Sequence, residues 1–385
     1  MTNADLIFFD AGGGHRAAAE ALRLVMSEQG GWNVRLVNLQ ELLDPIDWAR
    51  KLTGLRMQDL YNLMLKKGWT LGTPQTVRVL QFLIRLLRPR AVRILEAFWR
   101  SSDACLVVSL VPHFNRALAQ SLRQVRPSAR FVTILTDIAD YPPHFWIEPQ
   151  GQYVICGSER AVAQARALDI CEGRIFQTSG MILHPRFYQP VLCDRREERK
   201  LRGLDPDRPT GLVLFGGQGS GVMLDIARRL PDTQLIFICG RNQKLAATLR
   251  AMPSTAPRFI EGFTSEVPYY MHLADFFLGK PGPGSISEAV AMHLPVILER
   301  NAWTLSQERY NVDWVIERNA GIVLPNFRDV APAVEQMLAN LDQFRASVKK
   351  IENRAVFEIP EILDGILTGT HLAGTASTLP ETGPR

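Results

Sequence analysis

The chain is short of cysteine. Five stand in 385 residues (Cys105, Cys156, Cys171, Cys193 and Cys239), an odd number with no C-x-x-C pair. That supports neither a disulfide framework nor a zinc ligand set, and it suits a reducing compartment. Long apolar runs are missing too. No stretch approaches about 18 uninterrupted apolar residues, so no single helix is expected to span a membrane. No charged start followed by an apolar core marks a signal peptide, so a cytoplasmic location is expected. No nucleic-acid motif and no interleaved stacking platform accompany the chain's positive charge, which ranks nucleic acid low as a partner. Acidic residues are scarce in one place. From Trp48 to Arg100, Asp59 and Glu96 stand against eleven Lys or Arg, a local excess of nine where the whole chain has a net charge of only +5. The remaining chain is therefore net negative, and the basic segment needs its own explanation.

What is present reads as a well-packed globular protein: 46% hydrophobic and 22% charged residues, with length enough for two α/β domains. Short apolar strands alternate with helical stretches in both halves. In the first they read at 6–9, 34–39, 105–110, 130–136 and 152–157; in the second at 210–216, 234–240, 258–262, 275–280, 295–299 and 321–325. The pattern predicts two doubly wound parallel sheets with helices on both faces. Residues 1–193 form the expected first domain, the charged and Pro-bearing 194–210 a linker, and 211–353 the second domain. A terminal helix over 354–368 is expected to pack back toward the first domain, ahead of a small, polar, disordered tail over 369–385. The tail holds LPETG (379–383), which resembles a sortase motif but lacks a following apolar segment and basic end, and so reads as coincidence or a tag.

Two facing doubly wound domains bind ligands in the cleft at the carboxyl ends of their strands. The glycine-rich turns after those strands are therefore the candidate sites. Lys280-Pro-Gly282-Pro283-Gly284-Ser285-Ile-Ser-Glu288 runs from a strand into a helix, and Ser285 to Glu288 has capping-box spacing. A cap alone does not need so many glycines and prolines. A helix N-terminus with close backbone approach, and Lys280 beside it, suits a phosphate. Gly216-Gly217-Gln-Gly219 opens another helix after another strand. It is not the dinucleotide fingerprint, because the next strand ends in Cys-Gly-Arg241-Asn242 without an acid. Arg241 can fork onto a phosphate, and Asn242 can read a base or ribose. Together the three turns predict a nucleoside diphosphate. Gln307 and Glu308 suit the hydroxyls of a sugar, or equally the start of a solvated helix.

Near the other end, Asp10-Ala-Gly-Gly13-Gly14-His15-Arg16 follows the apolar LIFF. A histidine there suits proton transfer near neutral pH, with Asp10 a candidate for orienting the site. His113, after CLVVSLVP, is a rival. Thr136-Asp137 and His144-Phe145-Trp146 follow a further strand, and the family resemblance given next implies that they border an acceptor.

The stretches DAGGGHRAAAEAL, ICGRNQKLAATL, GKPGPGSISEA and SQERYNVDWVIERNAG, in that order over roughly residues 5–325, resemble the monogalactosyldiacylglycerol synthases and related processive diacylglycerol glycosyltransferases. That family is similar in turn to the peptidoglycan N-acetylglucosaminyltransferase. The resemblance implies a GT-B fold with the lipid acceptor on the first domain and a UDP-sugar on the second. It implies inversion at the sugar, no metal and no cofactor beyond the donor. His15 would be the base, Glu288 would hold the ribose, Gln307 and Glu308 the hexose, and the 216–221 and 280–285 turns the diphosphate. The expected reaction moves a hexose, galactose favoured, from a UDP-sugar to 1,2-diacylglycerol. Alternatives are UDP-glucose as donor, another lipid-linked acceptor, a UDP-sugar epimerase, or a UDP-sugar sensor without catalysis. The chain departs from the family at Pro281, Ser306 and Tyr310, which puts the hexose in question.

The basic segment fits the same picture. Arg78, Gln81, Arg85 and Arg88 form one polar stripe on an otherwise apolar helix, with Trp48, Leu55, Met57, Trp69, Phe98 and Trp99 around it. This is either a buried helix with a solvated arginine face or a surface that lies on anionic membrane lipids. The membrane reading, which the resemblance favours, expects a peripheral protein of the inner or plasma membrane.

Overall fold

The computed structural model describes residues 1–10, 13–47, 73–141, 145–302 and 304–370. The expectations placed on Trp48, Leu55, Met57, Trp69, His144 and the LPETG tail lie outside the described residues.

Two six-stranded, wholly parallel sheets carry the chain. The first holds β1 (Thr2–Phe8), β2 (Trp32–Asn38), β3 (Leu106–Ser109), β4 (Arg130–Ile134), β5 (Tyr153–Cys156) and β6 (Ile175–Gln177), in the order β2-β1-β3-β4-β5-β6. The second holds β7 (Thr210–Leu214), β8 (Gln234–Ile238), β9 (Arg258–Glu261), β10 (Phe276–Gly279), β11 (Val296–Glu299) and β12 (Gly321–Leu324), in the order β12-β11-β10-β7-β8-β9. This is the GT-B architecture. The second order is that of the doubly wound dinucleotide-binding fold. The strand order reverses between β1 and β3 in one sheet and between β7 and β10 in the other, so the ligand-binding crevices open there. Those are the strands that precede the histidine turn and the two glycine-rich turns.

The central strands are buried on both faces, as covered parallel sheets must be. Leu6, Ile7, Leu106, Val107 and Val108 are fully buried, each worth about 1.5–3 kcal/mol of apolar transfer. The helix Gly14–Gln29 turns Ala18, Ala19, Ala21, Leu22, Val25 and Met26 inward at helical spacing. All eleven strands read from the sequence are present. The edge strand β6 is not legible there: it has three residues, Ile-Phe-Gln, none fully buried.

The connector is more than a loop. Its helix Arg195–Leu201 is fixed to the second sheet by a buried carboxylate, Asp275. Arg195 and Arg199 each bond Asp275 at 2.7 Å, the Thr210 N–H donates to it at 2.7 Å, and Arg345 also pairs with it. The last helix, Ala355–Thr368, lies against the first sheet's core through Ala355, Ile359, Leu363 and Ile366. Val356 packs on Ala21 and Val25, behind the helix that carries His15.

Candidate active site

The histidine turn is held open by conformation rather than by crowding. Gly13 caps the helix Gly14–Gln29 in the left-handed region (φ 83°), where a side chain is strained, yet a Cβ on Gly13 or Gly14 would meet nothing within 4 Å. His15 is partly buried. Its Nδ1 lies 3.0 Å from the Thr136 hydroxyl and its ring 5.7 Å from that of Trp146. Burial pushes its pKa down to about 4, against a contact with the Leu110 carbonyl that favours the charged form. The imidazole is therefore neutral at physiological pH.

Asp10 pairs with Arg16. The Asp10 carboxylate is held by Arg16 at 3.1 Å on the exposed side of the turn, while Thr136 and Leu110 hold the ring. His113 lines the same pocket. It sits in the left-handed region (φ 68°), which costs a non-glycine residue strain, and its ring meets Phe145 edge-on at 4.2 Å. Burial and the proximity of His15 push its pKa down to about 4. Trp146 is fully buried, its Nε1–H donating to Asp137 at 2.8 Å and its backbone N–H to Asp140 at 2.8 Å. It walls the pocket beside His15 and does not face a bilayer.

The second sheet brings its three turns together as the sequence predicts. Gly240 (φ 58°) comes so close to Gly217 that a Cβ would sit 2.3 Å from the Gly217 carbonyl oxygen. The Arg241 N–H donates to that same carbonyl at 2.9 Å. A Cβ on Gly216 would touch Lys280 at 4.0 Å, and one on Gly219 would press on the Cys239 carbonyl at 2.8 Å. Gly240→Ala therefore carries both a clash and left-handed strain of about 1–2 kcal/mol. The turns are expected to separate, raising the UDP Kd about tenfold in titration calorimetry if that strain must be restored on binding.

Two expectations are corrected here. Ser285 and Glu288 form no capping box: the helix is Pro283–Ala291, its N-cap is Gly282, and no side chain caps it. Proline at the first helical position starts the helix three residues earlier than the box would. Among the described residues no side chain caps the early N–H groups, which suits an anion. Glu288, partly buried, is pushed up to about 7 by burial, with Arg186 opposing. Asn242 caps the helix Gln243–Ala251, its Oδ1 accepting from the Leu245 N–H at 3.0 Å, so that oxygen serves the fold.

Gln307 and Glu308 lie on the single turn Ser306–Glu308. Glu308 is buried and takes Lys280 Nζ at 3.2 Å. Asn311, fully buried and carrying no motif signal of its own, holds this region by donating to the Pro281 carbonyl at 2.8 Å. Tyr310 turns to Glu317 at 3.1 Å and to Arg160 of the first domain, whose guanidinium stands 5.8 Å from its ring. This departure from the family pattern thus makes a contact between the domains. A cavity of about 500 Å³ between the domains is lined by Ile138, Thr178, Ser287, Trp314 and Arg318 and by none of the expected site residues. Among the described residues no cluster fit to hold a metal occurs.

No family model matches the chain. It is 28% identical over 381 residues to a probable monogalactosyldiacylglycerol synthase 3, chloroplastic, of Oryza sativa subsp. japonica, covering 93% of this chain and 73% of that one. It is 27% identical over 389 residues to monogalactosyldiacylglycerol synthase 2, chloroplastic, of Arabidopsis thaliana, covering 94% and 80%. The chain is a relative of the monogalactosyldiacylglycerol synthases. Solved structures agree on the fold. MurG of Acinetobacter baumannii superposes with a TM-score of 0.60 at 12% identity, over 94% of this chain and 99% of MurG. CalG4, the calicheamicin glycosyltransferase, gives 0.60 at 16%, over 97% and 99%. A putative UDP-N-acetylglucosamine 2-epimerase from Listeria monocytogenes gives 0.56 at 13%, over 96% of each chain. Transferases and an epimerase share the architecture, so the fold does not choose between them. The two sequence relatives named above are monogalactosyldiacylglycerol synthases.

Proposed function

We propose that this chain is an inverting hexosyltransferase that moves galactose from UDP-galactose to the free hydroxyl of 1,2-diacylglycerol. One observation carries the site reading. Asp137, tied through Trp146 to the histidine pocket of the first domain, feels the charges of Glu308 and Lys280 on the second. The histidine turn and the second domain's Lys280 and Glu308 are thus within electrostatic reach of each other, which supports one cleft shared by acceptor and donor. In that cleft the acceptor hydroxyl lies beside His15 and attacks the anomeric carbon from the face opposite UDP. The leaving diphosphate carries growing negative charge, which Lys280, Arg241 and the open N-terminus of Pro283–Ala291 are placed to stabilise. Glu288 receives the ribose hydroxyls, and Gln307 and Glu308 the hexose. The diphosphate competes with Glu308 for Lys280, so donor binding frees the Glu308 carboxylate for the sugar.

Incubation with radiolabelled UDP-galactose and diacylglycerol, beside UDP-glucose, tests this. Label in the lipid phase, greater from UDP-galactose, is the expected result. Isomerised UDP-sugar points to an epimerase, and binding without turnover to a sensor.

The same reading places the first domain on a membrane surface. No helix among the described residues is long and apolar enough to cross a bilayer. On the helix Thr73–Ser101, Arg78 and Arg85 are exposed, but so are Phe82 (65%), Leu86 (65%) and Val79 (59%). A helix packed in a core with only its arginines in water would have hidden those three. Cations beside exposed apolar groups suit an anionic bilayer interface, at about 1 kcal/mol per basic residue. The protein is expected to sediment with anionic vesicles and to leave them in high salt. Equal binding to neutral vesicles, insensitive to salt, would contradict the electrostatic attachment.

A further inference from the structure

The transfer needs a destination for the acceptor hydroxyl's proton, and His15 offers a weak one. With its pKa pushed down to about 4 by burial, its affinity for a proton is low near neutrality. A second group stands in the same pocket. The turn after β4 sends Thr136 to the His15 ring at 3.0 Å and Asp137, the next residue, to the indole Nε1–H of Trp146 at 2.8 Å. His15 packs against that same indole. One turn and one tryptophan therefore fix both residues.

Asp137 is 8% exposed, and among the described residues it forms no ion pair. Burying a carboxylate against one neutral donor is costly. Holding the indole does not require it, since a neutral amide oxygen would accept the same bond. The charges that face Asp137 are Glu308 and Lys280 of the donor domain and Asp140 of its own loop. Asp137, on the first domain, is thus within electrostatic reach of the second domain's Lys280 and Glu308.

We propose that Asp137 takes the proton from the acceptor hydroxyl, while His15 positions that hydroxyl by hydrogen bonding. The proposal rests on the transferase reading above. In the step, the hydroxyl O–H bond breaks and its proton passes to an Asp137 carboxylate oxygen. The freed electron pair on the acceptor oxygen forms the bond to the anomeric carbon. The bond from that carbon to the diphosphate oxygen breaks, and its electrons leave with UDP. Burial raises Asp137 to about 7; the Trp146 hydrogen bond opposes this, Glu308 and Asp140 add to it, and Lys280 opposes it. A general base works best with its pKa near the working pH.

The test is the pH dependence of kcat for the full-length protein at saturating UDP-galactose and diacylglycerol. The parent rate is expected to rise with pH through about 7 and then level, as Asp137 loses its proton. Asp137→Asn is expected to lose that rise and about 10²–10⁴ of kcat, with the UDP Kd unchanged. Asp137→Glu is expected to recover part of the rate and to keep a pH-dependent limb. His15→Gln, which keeps a hydrogen-bonding side chain, is expected to be slower with the parent's limb intact. Should Asp137→Asn fail to fold, a flat parent profile still overturns the proposal, and Asp137→Glu, whose limb is expected to move, tells Asp137 from Glu288, which burial also pushes up to about 7. A parent that labels lipid with a flat rate between pH 6 and about 8 overturns this proposal alone, as does an Asp137→Asn that retains the limb. A parent that labels no lipid at any pH overturns the transferase reading and this proposal with it.

Discussion

His15→Ala is expected to lower the transfer rate by about 10²–10⁴ while leaving UDP binding unchanged. The split follows from where the residue stands. His15 belongs to the first domain's switch point, bonded to Thr136, whereas the expected UDP ligands all belong to the second domain. Removing the ring takes away the group beside the acceptor hydroxyl and touches none of the donor turns. Steady-state kinetics and UDP titration on one preparation check both halves, and near-normal turnover removes His15 from the mechanism. The variant should also resist acid better. His15 is held below its ordinary value of 6.5, so the unfolded chain binds the proton more readily and stability falls as the pH drops from about 6.5 toward 4. Without the ring that loss shrinks, which thermal melts across this range will show.

Asp275→Asn is expected to cost about 3–5 kcal/mol of stability. Arg199 is 4% exposed, and its guanidinium bonds both Asp275 and the Leu273 carbonyl. Neutralising the carboxylate leaves that cation buried without its counter-charge, with Arg195 and Arg345 beside it. Burial alone would raise the Asp275 pKa, but Arg195, Arg199 and the Thr210 N–H override it and hold it low. Its contribution is therefore complete above the ordinary aspartate value and is lost as the pH falls through the lowered one. Urea unfolding at pH 7 measures the loss. An asparagine variant within about 1 kcal/mol of the parent would mean that the arginines find other partners. Because the cluster grips the connector helix, the variant should also loosen the join between the domains, seen as faster proteolysis within 194–210.

Most of the fold was legible because parallel strands buried on both faces must be continuous apolar runs. Glycine-rich turns after such runs mark the strand ends where a cleft forms. The donor turns were legible for that reason, and Gly240 pressed on Gly217 shows why glycine stands there. What stayed hidden depends on contacts far apart in sequence. Thr136 meets His15 across 121 positions, and Asn311 supports Pro281 across 30. Both residues lie in stretches that the sequence singles out, but nothing local marks which partners they meet. The capping box failed because two residues with the right spacing were overruled by Pro283, whose fixed φ begins the helix earlier. Asp137 looked like a border residue, and only its burial and its charged neighbours across the cleft mark it as chemical.

The central claim is a single displacement of UDP by a lipid hydroxyl in the cleft between the two sheets. The most direct measurement is the anomeric configuration of the lipid product, read by proton NMR after incubation with UDP-α-galactose and diacylglycerol. A β-linked monogalactosyldiacylglycerol is the expected result. An α-linked product, or label that never leaves the water-soluble donor, would contradict it.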